Sequence, residues 1–185
     1  MSEKCQMSVG CRSYSRTMHS PTAALPAALV RIDSPIGRIE VTSDGEAITS
    51  LAIERAGELP LDGQPEQPNP VLERAVEQLR EYFAGTRTDF DLPVALAGTE
   101  FQKAVWNELA ELPFGGVMSY GEIGHATGRA TAGRAVGGAV GANPIPIIVP
   151  CHRVLASDGR ITGYSGGNGI PTKVWLLDHE GIAHK

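Results

Sequence analysis

"SYGEIGHATGRATAGRAVGGAVGANPIPIIVPCHRVL", residues 119–155, holds two short helical patterns and then a cysteine wedged between a proline and a histidine. Ser119 and Glu122 form a capping box that opens the first helix, and Gly128 ends it. Thr131 opens the second, which Asn143-Pro144 closes. Two helices joined by a glycine-containing turn make a helix-turn-helix candidate. The second helix is nearly bare. From residue 132 to 142 the side chains are Ala, Gly or Val, with Arg134 the one long exception. A helix that reads bases in the major groove normally presents several Arg, Asn or Gln side chains. A bare one suits close approach of backbone to a surface such as a narrow minor groove, at a propensity cost of about 1 kcal/mol per glycine. Tight helix-on-helix packing accounts for the same residues, and composition alone favours it.

Downstream, "IPIIV" reads as a buried strand or extended segment, and Pro150 weakens pairing just before Cys151. An ordinary cysteine is only a few per cent thiolate at neutral pH. Lowering its pKa by two units takes about 2.7 kcal/mol, which a base or positive charge must supply. His152 is adjacent, yet consecutive side chains of an extended segment point to opposite faces. A bridging water is therefore the more natural link than direct contact. A histidine acting as base also needs an acid to orient it. Asp158, Asp178 and Glu180 all lie downstream, and spacing does not choose among them. By itself "PCHR" fits a core cysteine beside a surface histidine equally well.

Outward from this stretch the chain divides. Residues 1–27 have no sustained period and read as a flexible extension. Residues 28–97 read as an α/β unit: strand-like runs broken by the turns "SPIG" and "SDG", a Pro/Gly loop, then a helix capped by Asn69 with Pro70 at its first position and Gly85 at its end. "DFDLPVALAG" reads as strand or linker, and the boundary falls near residues 97–99. Residues 98–185 read as mainly α, opening with a Thr99–Gln102 capping box and closing with the helix in "PTKVWLLDHEG".

The totals narrow the classes. At 185 residues, 42% apolar and 20% charged, the chain is an ordinary globular length and composition. No stretch approaches a membrane span, and the weak signal-peptide likeness near residue 21 is broken by two prolines, which points to the cytoplasm, or to the nucleus in a eukaryotic source. Cys5, Cys11 and Cys151 form no disulfide framework and fit a reducing compartment. The net charge of −5 resides in residues 1–97, while residues 98–185 are neutral with four arginines between positions 129 and 160. A local phosphate contact is permitted, not demanded.

"SYGEIGHATG", "GRAVGGAVGANPIPIIVPCHRVL", "GYSGG" and "KVWLLDHEG", in that order, resemble the methylated-DNA–protein-cysteine methyltransferases, the O6-alkylguanine-DNA alkyltransferases. The likeness is strong over residues 101–181 and weaker at "IDSPIGRIEV" and "LREYFAGTRTDFDLPV". It implies an α/β N-terminal domain beside a C-terminal domain whose helix-turn-helix enters the minor groove, displacing the packing reading of the bare helix. It implies stoichiometric, irreversible transfer of the alkyl group of O6-alkylguanine, with O4-alkylthymine as a secondary class, to Cys151. In this resemblance Glu180 orients His152, which acts through a water on Cys151, and Asn143 braces the site. Tyr120 turns the damaged nucleotide and protonates the leaving base. Backbone groups at Cys151, Val154 and Ser165 read the guanine edge, Tyr164 lines the pocket and Lys173 sits near its rim. Arg134 fills the duplex where the base leaves, and Thr131, Ala132, Gly133, Ala135 and Gly138 face the DNA.

The partner implied is double-stranded DNA carrying alkylated guanine, bound by a monomer, with cooperative binding left open. No cofactor is implied. Relatives that hold zinc in the N-terminal domain use Cys and His, and residues 28–97 contain neither, so no such metal site is expected. Two other classes compete: a lesion binder that flips the base without reacting, against which Cys151 stands, and a cysteine hydrolase, which leaves Arg134 and the bare helix unexplained. The extension before residue 28 and the loop "SGGNGIPTK" are longer than the family pattern.

Overall fold

The computed structural model describes residues 28–129 and 133–185. The first strands form an antiparallel meander in the order β1 (Ala28–Ile32), β2 (Ile39–Ser43), β3 (Ile48–Ile53). Val30 pairs with Val41, and Val41 with Leu51, so β-branched and leucine side chains meet across one buried face. The "SPIG" and "SDG" turns expected from the sequence join the strands. Gly37 and Gly45 there have φ of 104° and 109°, a region costly for any residue with a Cβ.

Helix α1 (Pro70–Phe83) starts as expected: the Asn69 side chain accepts from Leu72 N, and Pro70 needs no donor. Leu72, Ala75, Leu79 and Tyr82 are buried at helical spacing, and the helix packs on β1 and β2. The loop after β3 is held by arginines. Arg38 makes two bonds to Asp62 and one to Glu54, while Arg31 reaches Glu40 and the carbonyls of Leu61 and Gln64. Residues 84–98 are mostly irregular, with Val94 bridged to Ile48, so the linker alternative describes this segment better than the strand.

The C-terminal half contains α2 (Glu100–Ala110), α3 (Tyr120–Ala126), α4 (Gly133–Gly141) and α5 (Ile170–His179). Both expected capping boxes are present, Thr99 with Gln102 and Ser119 with Glu122. Residues 130–132, which lie between α3 and α4 in the sequence, are outside the described residues, and so are residues 1–27. Helix α4 has two different faces. Val136, Ala139 and Val140 are buried, and Trp106 Nε1 donates to the Ala139 carbonyl at 2.8 Å. Gly133, Arg134, Ala135 and Gly138 are exposed. The packing reading of the small residues holds on one side of this helix only.

"IPIIV" is buried but is not a strand. It folds into a compact turn, with Pro146 bridged to Val149 and Val149 N bonded to the Ile145 carbonyl at 2.9 Å. Ile147 takes φ of 76°, a strained value for a β-branched residue. Pro146 within the run, and Pro144 and Pro150 on either side of it, lack the donors a strand would use. The turn is pinned from outside by Leu51 N, which donates to the Pro144 carbonyl at 2.9 Å. A two-residue parallel pairing of β4 (Met118–Ser119) with β5 (Val154–Leu155) has no sequence signal, being too short to alternate. One core cluster runs through both halves, from Ile39, Leu79 and Tyr82 to Trp106, Ile145 and Cys151.

Candidate active site

Cys151 opens a single 3-10 turn, Cys151–Arg153, not an extended segment. The turn follows from Pro150, whose carbonyl accepts from Arg153 N at 3.0 Å. Cys151 is 3% exposed yet lines two cavities. One, about 240 Å³, is lined by Tyr120, Gly137, Thr162, Tyr164, Ser165 and Lys173. The other, about 480 Å³, lies against β3 and is lined by Leu51, Ile53, Leu59, Asn143 and Pro146. Cys151 is therefore buried without being sealed.

His152 is fully buried, and its Nε2 lies 2.8 Å from Glu180 Oε1. Glu180 occupies the C-cap of α5, where the helix turns out at Gly181. An anion at a helix C-terminus is unfavourable, and Arg153 offsets it with Nε to Oε2 at 2.7 Å and Nη2 to Oε1 at 2.9 Å. Of the three acids left open by spacing, this geometry selects Glu180. Asp158 pairs with Arg160 at the surface, and Asp178 is exposed. Because Glu180 only accepts, Nε2 carries the ring proton and Nδ1 presents a lone pair. Nδ1 is buried with no partner among the described residues.

Burial pushes the Cys151 thiol up, against the opposing pull of Asn143, Tyr164 and the Lys173 ammonium. Burial thus favours the thiol over the thiolate, and a base must take its proton for the sulfur to attack. Desolvation disfavours the anion more than its neighbours favour it. Burial likewise pushes His152 down, so the ring is neutral despite Glu180. Burial would push Glu180 up, but the bonds from His152 and Arg153 outweigh it and hold it well below the carboxylate range. Lys173 is pushed down to about 8 by burial, with Cys151 opposing.

Asn143 Nδ2 donates to the Val149 carbonyl at 2.7 Å and Oδ1 accepts from Ile145 N at 3.0 Å, bracing the turn before Cys151. Tyr120 lines the smaller cavity and accepts from Thr162 Oγ1 at 3.2 Å. The Tyr164 hydroxyl lies beside the sulfur, close enough for each to shift the other's titration, but in no geometry that counts as a hydrogen bond. Ser165 stands at the cavity mouth with Oγ bonded to the Gly141 carbonyl. Lys173 is not at the rim. It is 1% exposed at the back wall, where Nζ donates to the carbonyls of Val154 and Gly163. Its apolar neighbours on α5 carry it inward. Val154 is fully buried and lines neither cavity, and its N–H is bonded to the Cys151 carbonyl. Thr131 and Ala132 lie outside the described residues.

The family model described as "6-O-methylguanine DNA methyltransferase, DNA binding domain" matches residues 100–182, and its "ribonuclease-like domain" matches residues 30–96. The chain belongs to the 6-O-methylguanine DNA methyltransferase family. It is 46% identical over 154 residues to the methylated-DNA–protein-cysteine methyltransferase of Mycobacterium bovis, covering 80% of this chain and 89% of that protein. The Shigella flexneri protein of that name is 53% identical over 106 residues, 57% of this chain and 61% of that one. Among solved structures, that of Mycobacterium tuberculosis OGT in complex with DNA superposes with TM-score 0.73 at 43% identity, over 82% of this chain and 91% of that one.

Within this methyltransferase fold, sequence reasoning missed Arg153, read only as part of a locally basic segment. Its signal was its position: an arginine beside His152 and Val154, inside a buried run, must be paired. Thr162 was missed too, and no local pattern points to it. Among the described residues no three His, Cys, Asp or Glu side chains converge as metal ligands, and no helix is long and apolar enough to cross a membrane.

Proposed function

We propose that this chain repairs DNA by moving the alkyl group of O6-alkylguanine onto Cys151, once per molecule. The observation that carries the reading is the buried Cys151–His152–Glu180 arrangement, with Cys151 lining two cavities and the His152 Nδ1 without a partner among the described residues. Nδ1 takes the thiol proton through one water as Sγ attacks the alkyl carbon. The S–C bond forms, the C–O6 bond breaks, and guanine leaves as an anion that takes a proton from the Tyr120 hydroxyl. Burial raises the thiol pKa, so the nucleophile is generated only as the proton leaves, and bulk solvent is kept from a standing thiolate. A thioether is a very stable product, so the protein does not turn over.

The DNA face in this reading is the exposed side of α4. Gly133, Ala135 and Gly138 let the backbone approach a minor groove, and Arg134 fills the space of the everted nucleotide. Eversion costs a few kcal/mol and is cheapest for a badly paired base. The smaller cavity beside Tyr120 receives the guanine. We take the protein to act as a monomer in the cytoplasm.

The test is the mass of the intact protein after incubation with an oligonucleotide carrying O6-methylguanine. One added methyl per molecule is expected, and none in Cys151→Ala. A protein that binds the lesion without reacting gains no mass, which would reject the proposal. Arg134→Ala is expected to slow repair of duplex DNA by about tenfold or more, the scale of an unstacking penalty of a few kcal/mol partly lost. It should leave transfer from a free O6-alkylguanine base unchanged. Equal losses in both would remove Arg134 from base eversion.

A further inference from the structure

One hydroxyl reaches the acid of this site from the opposite half of the chain. Tyr82 lies in the last turn of α1, fully buried, and its Oη donates to Glu180 Oε1 at 2.8 Å. That oxygen is the one on which His152 Nε2 rests. The tyrosine is clamped at its other end as well, because its carbonyl accepts from His179 Nε2 at 2.7 Å. Residues 179 and 180 of the C-terminal half thus grip one residue of the N-terminal helix twice. Phe83, Phe90, Phe114 and His179 ring the phenol with centroids 5.0 to 6.3 Å away, leaving it no room to swing off.

Packing alone does not call for the hydroxyl, since a phenylalanine would fill the same aromatic nest. Nor does charge balance call for it, since Arg153 already holds both carboxylate oxygens. What the hydroxyl adds is a third direction of restraint on Oε1. We propose that Tyr82 is a positioning residue for alkyl transfer: its hydroxyl fixes the carboxylate oxygen that orients the His152 ring, so the N-terminal half of the chain takes part in activating Cys151. This rests on the reading of Cys151 as alkyl acceptor through His152 and Glu180. A donor on Oε1 also draws charge from the oxygen that faces the imidazole, which keeps His152 less basic than a carboxylate free of Tyr82 would make it.

The sign of the effect follows. Without the hydroxyl, Glu180 holds the imidazolium more strongly, the ring keeps its proton to higher pH, and the neutral base appears later. Single-turnover transfer from a free O6-alkylguanine base, followed across pH, is therefore expected to change in Tyr82→Phe. The acid limb should move up by about half a pH unit and the plateau should fall roughly three- to tenfold, the scale of one lost hydrogen bond to a charged group. A merely structural tyrosine would lower the melting temperature and leave the limb where it was. In the Glu180→Gln background, Tyr82→Phe should move nothing further. If Glu180→Gln slows transfer and Tyr82→Phe leaves rate and limb unaltered, the role of Tyr82 is overturned and the relay stands. If neither variant slows transfer, the relay reading falls and takes this proposal with it. The unsubstituted protein gives an independent check should Tyr82→Phe not fold. A slowly exchanging Tyr82 hydroxyl proton is expected in its NMR spectrum, displaced by Glu180→Gln, and its absence would overturn the assignment.

Discussion

Two arginine–carboxylate networks sit in the two halves of this chain, and their chemistry is nearly the same. At the sheet, Arg38 holds Asp62 by two bonds and Glu54 by one, tying the loop after β3 to the strands. At the candidate active site, Arg153 holds Glu180 by two bonds. Their surroundings differ. Arg38 and Asp62 are 35% and 37% exposed, whereas the Arg153 and Glu180 side chains are 6% and 0% exposed. Water and salt screen the first pair, so its contribution is that of a surface ion pair. The second pair is desolvated, so each partner becomes indispensable to the other. Burial, not bond count, separates a fastener from a tuned site.

The largest effect expected from this difference comes from cutting the buried pair. Arg153→Met should lower unfolding stability by about 3–5 kcal/mol, because the Glu180 charge remains buried with only neutral donors around it. Alkyl transfer should fall with it, since Oε1 loses one of the bonds that hold it under His152. Urea unfolding and single-turnover transfer measure the two losses. A loss of stability no larger than that of a surface pair would erase the contrast.

Acid separates the two networks by a smaller amount. Glu180 is held below its unfolded value, so its stabilisation is complete above about pH 4.3 and is lost as pH falls through the folded pKa. His152 is also held below its unfolded value, so stability declines as pH drops below about 6.5, where the unfolded ring binds a proton and the buried ring does not. Asp62 and Glu54 are lowered too, the first mainly by the Arg38 guanidinium and the second mainly by the Arg38 backbone N–H. Their share should shrink at high salt, while the share of Glu180, on the order of 2 kcal/mol, should persist. Melts from pH 7 to 3 at two ionic strengths, with Glu180→Gln as reference, measure this. A Glu180→Gln protein with an unchanged acid profile would contradict it.

Of the two networks, the candidate active site is the one that should respond above neutrality, through Lys173. Lys173 loses its charge near pH 8 and with it the attraction that favours a forming thiolate. Alkyl transfer should therefore decline severalfold as pH rises through about 8, to the extent that a nearby charge stabilises the sulfur anion. Lys173→Met should lack that step and be slow throughout.

Much of this fold was legible because its signals are local. Asn69-Pro70, Thr99–Gln102 and Ser119–Glu122 each fix a helix start through bonds within three residues. The meander was readable from its turns. The turn at residues 145–149 was not, because apolar residues that bury in a strand bury equally in a coil pinned by Leu51. The site divides in the same way. Cys151 and His152 stand together in sequence, and Asn143 acts within six residues of itself. Arg153 to Glu180 spans 27 residues and Tyr82 to Glu180 spans 98, so neither pair leaves a periodic trace. The burial that disfavours a Cys151 thiolate was not legible either, because burial is a sum over the whole fold, which no motif of five residues encodes.

The smallest effect belongs to the exposed network, and it is the sharpest test of the comparison. Arg38→Ala removes bonds to Asp62, Glu54 and the Gly57 carbonyl, more contacts than Arg153 makes to Glu180. A count of hydrogen bonds would rank it as the more damaging substitution. Screening ranks it last: the freed carboxylates return to water, and no charge is stranded in the core. The melting temperature should fall by at most about 2 °C, less still at high salt, with alkyl transfer unchanged. A larger fall, or one that salt does not reduce, would mean that the loop over the sheet is held by that arginine as firmly as the His152 relay is held by its own.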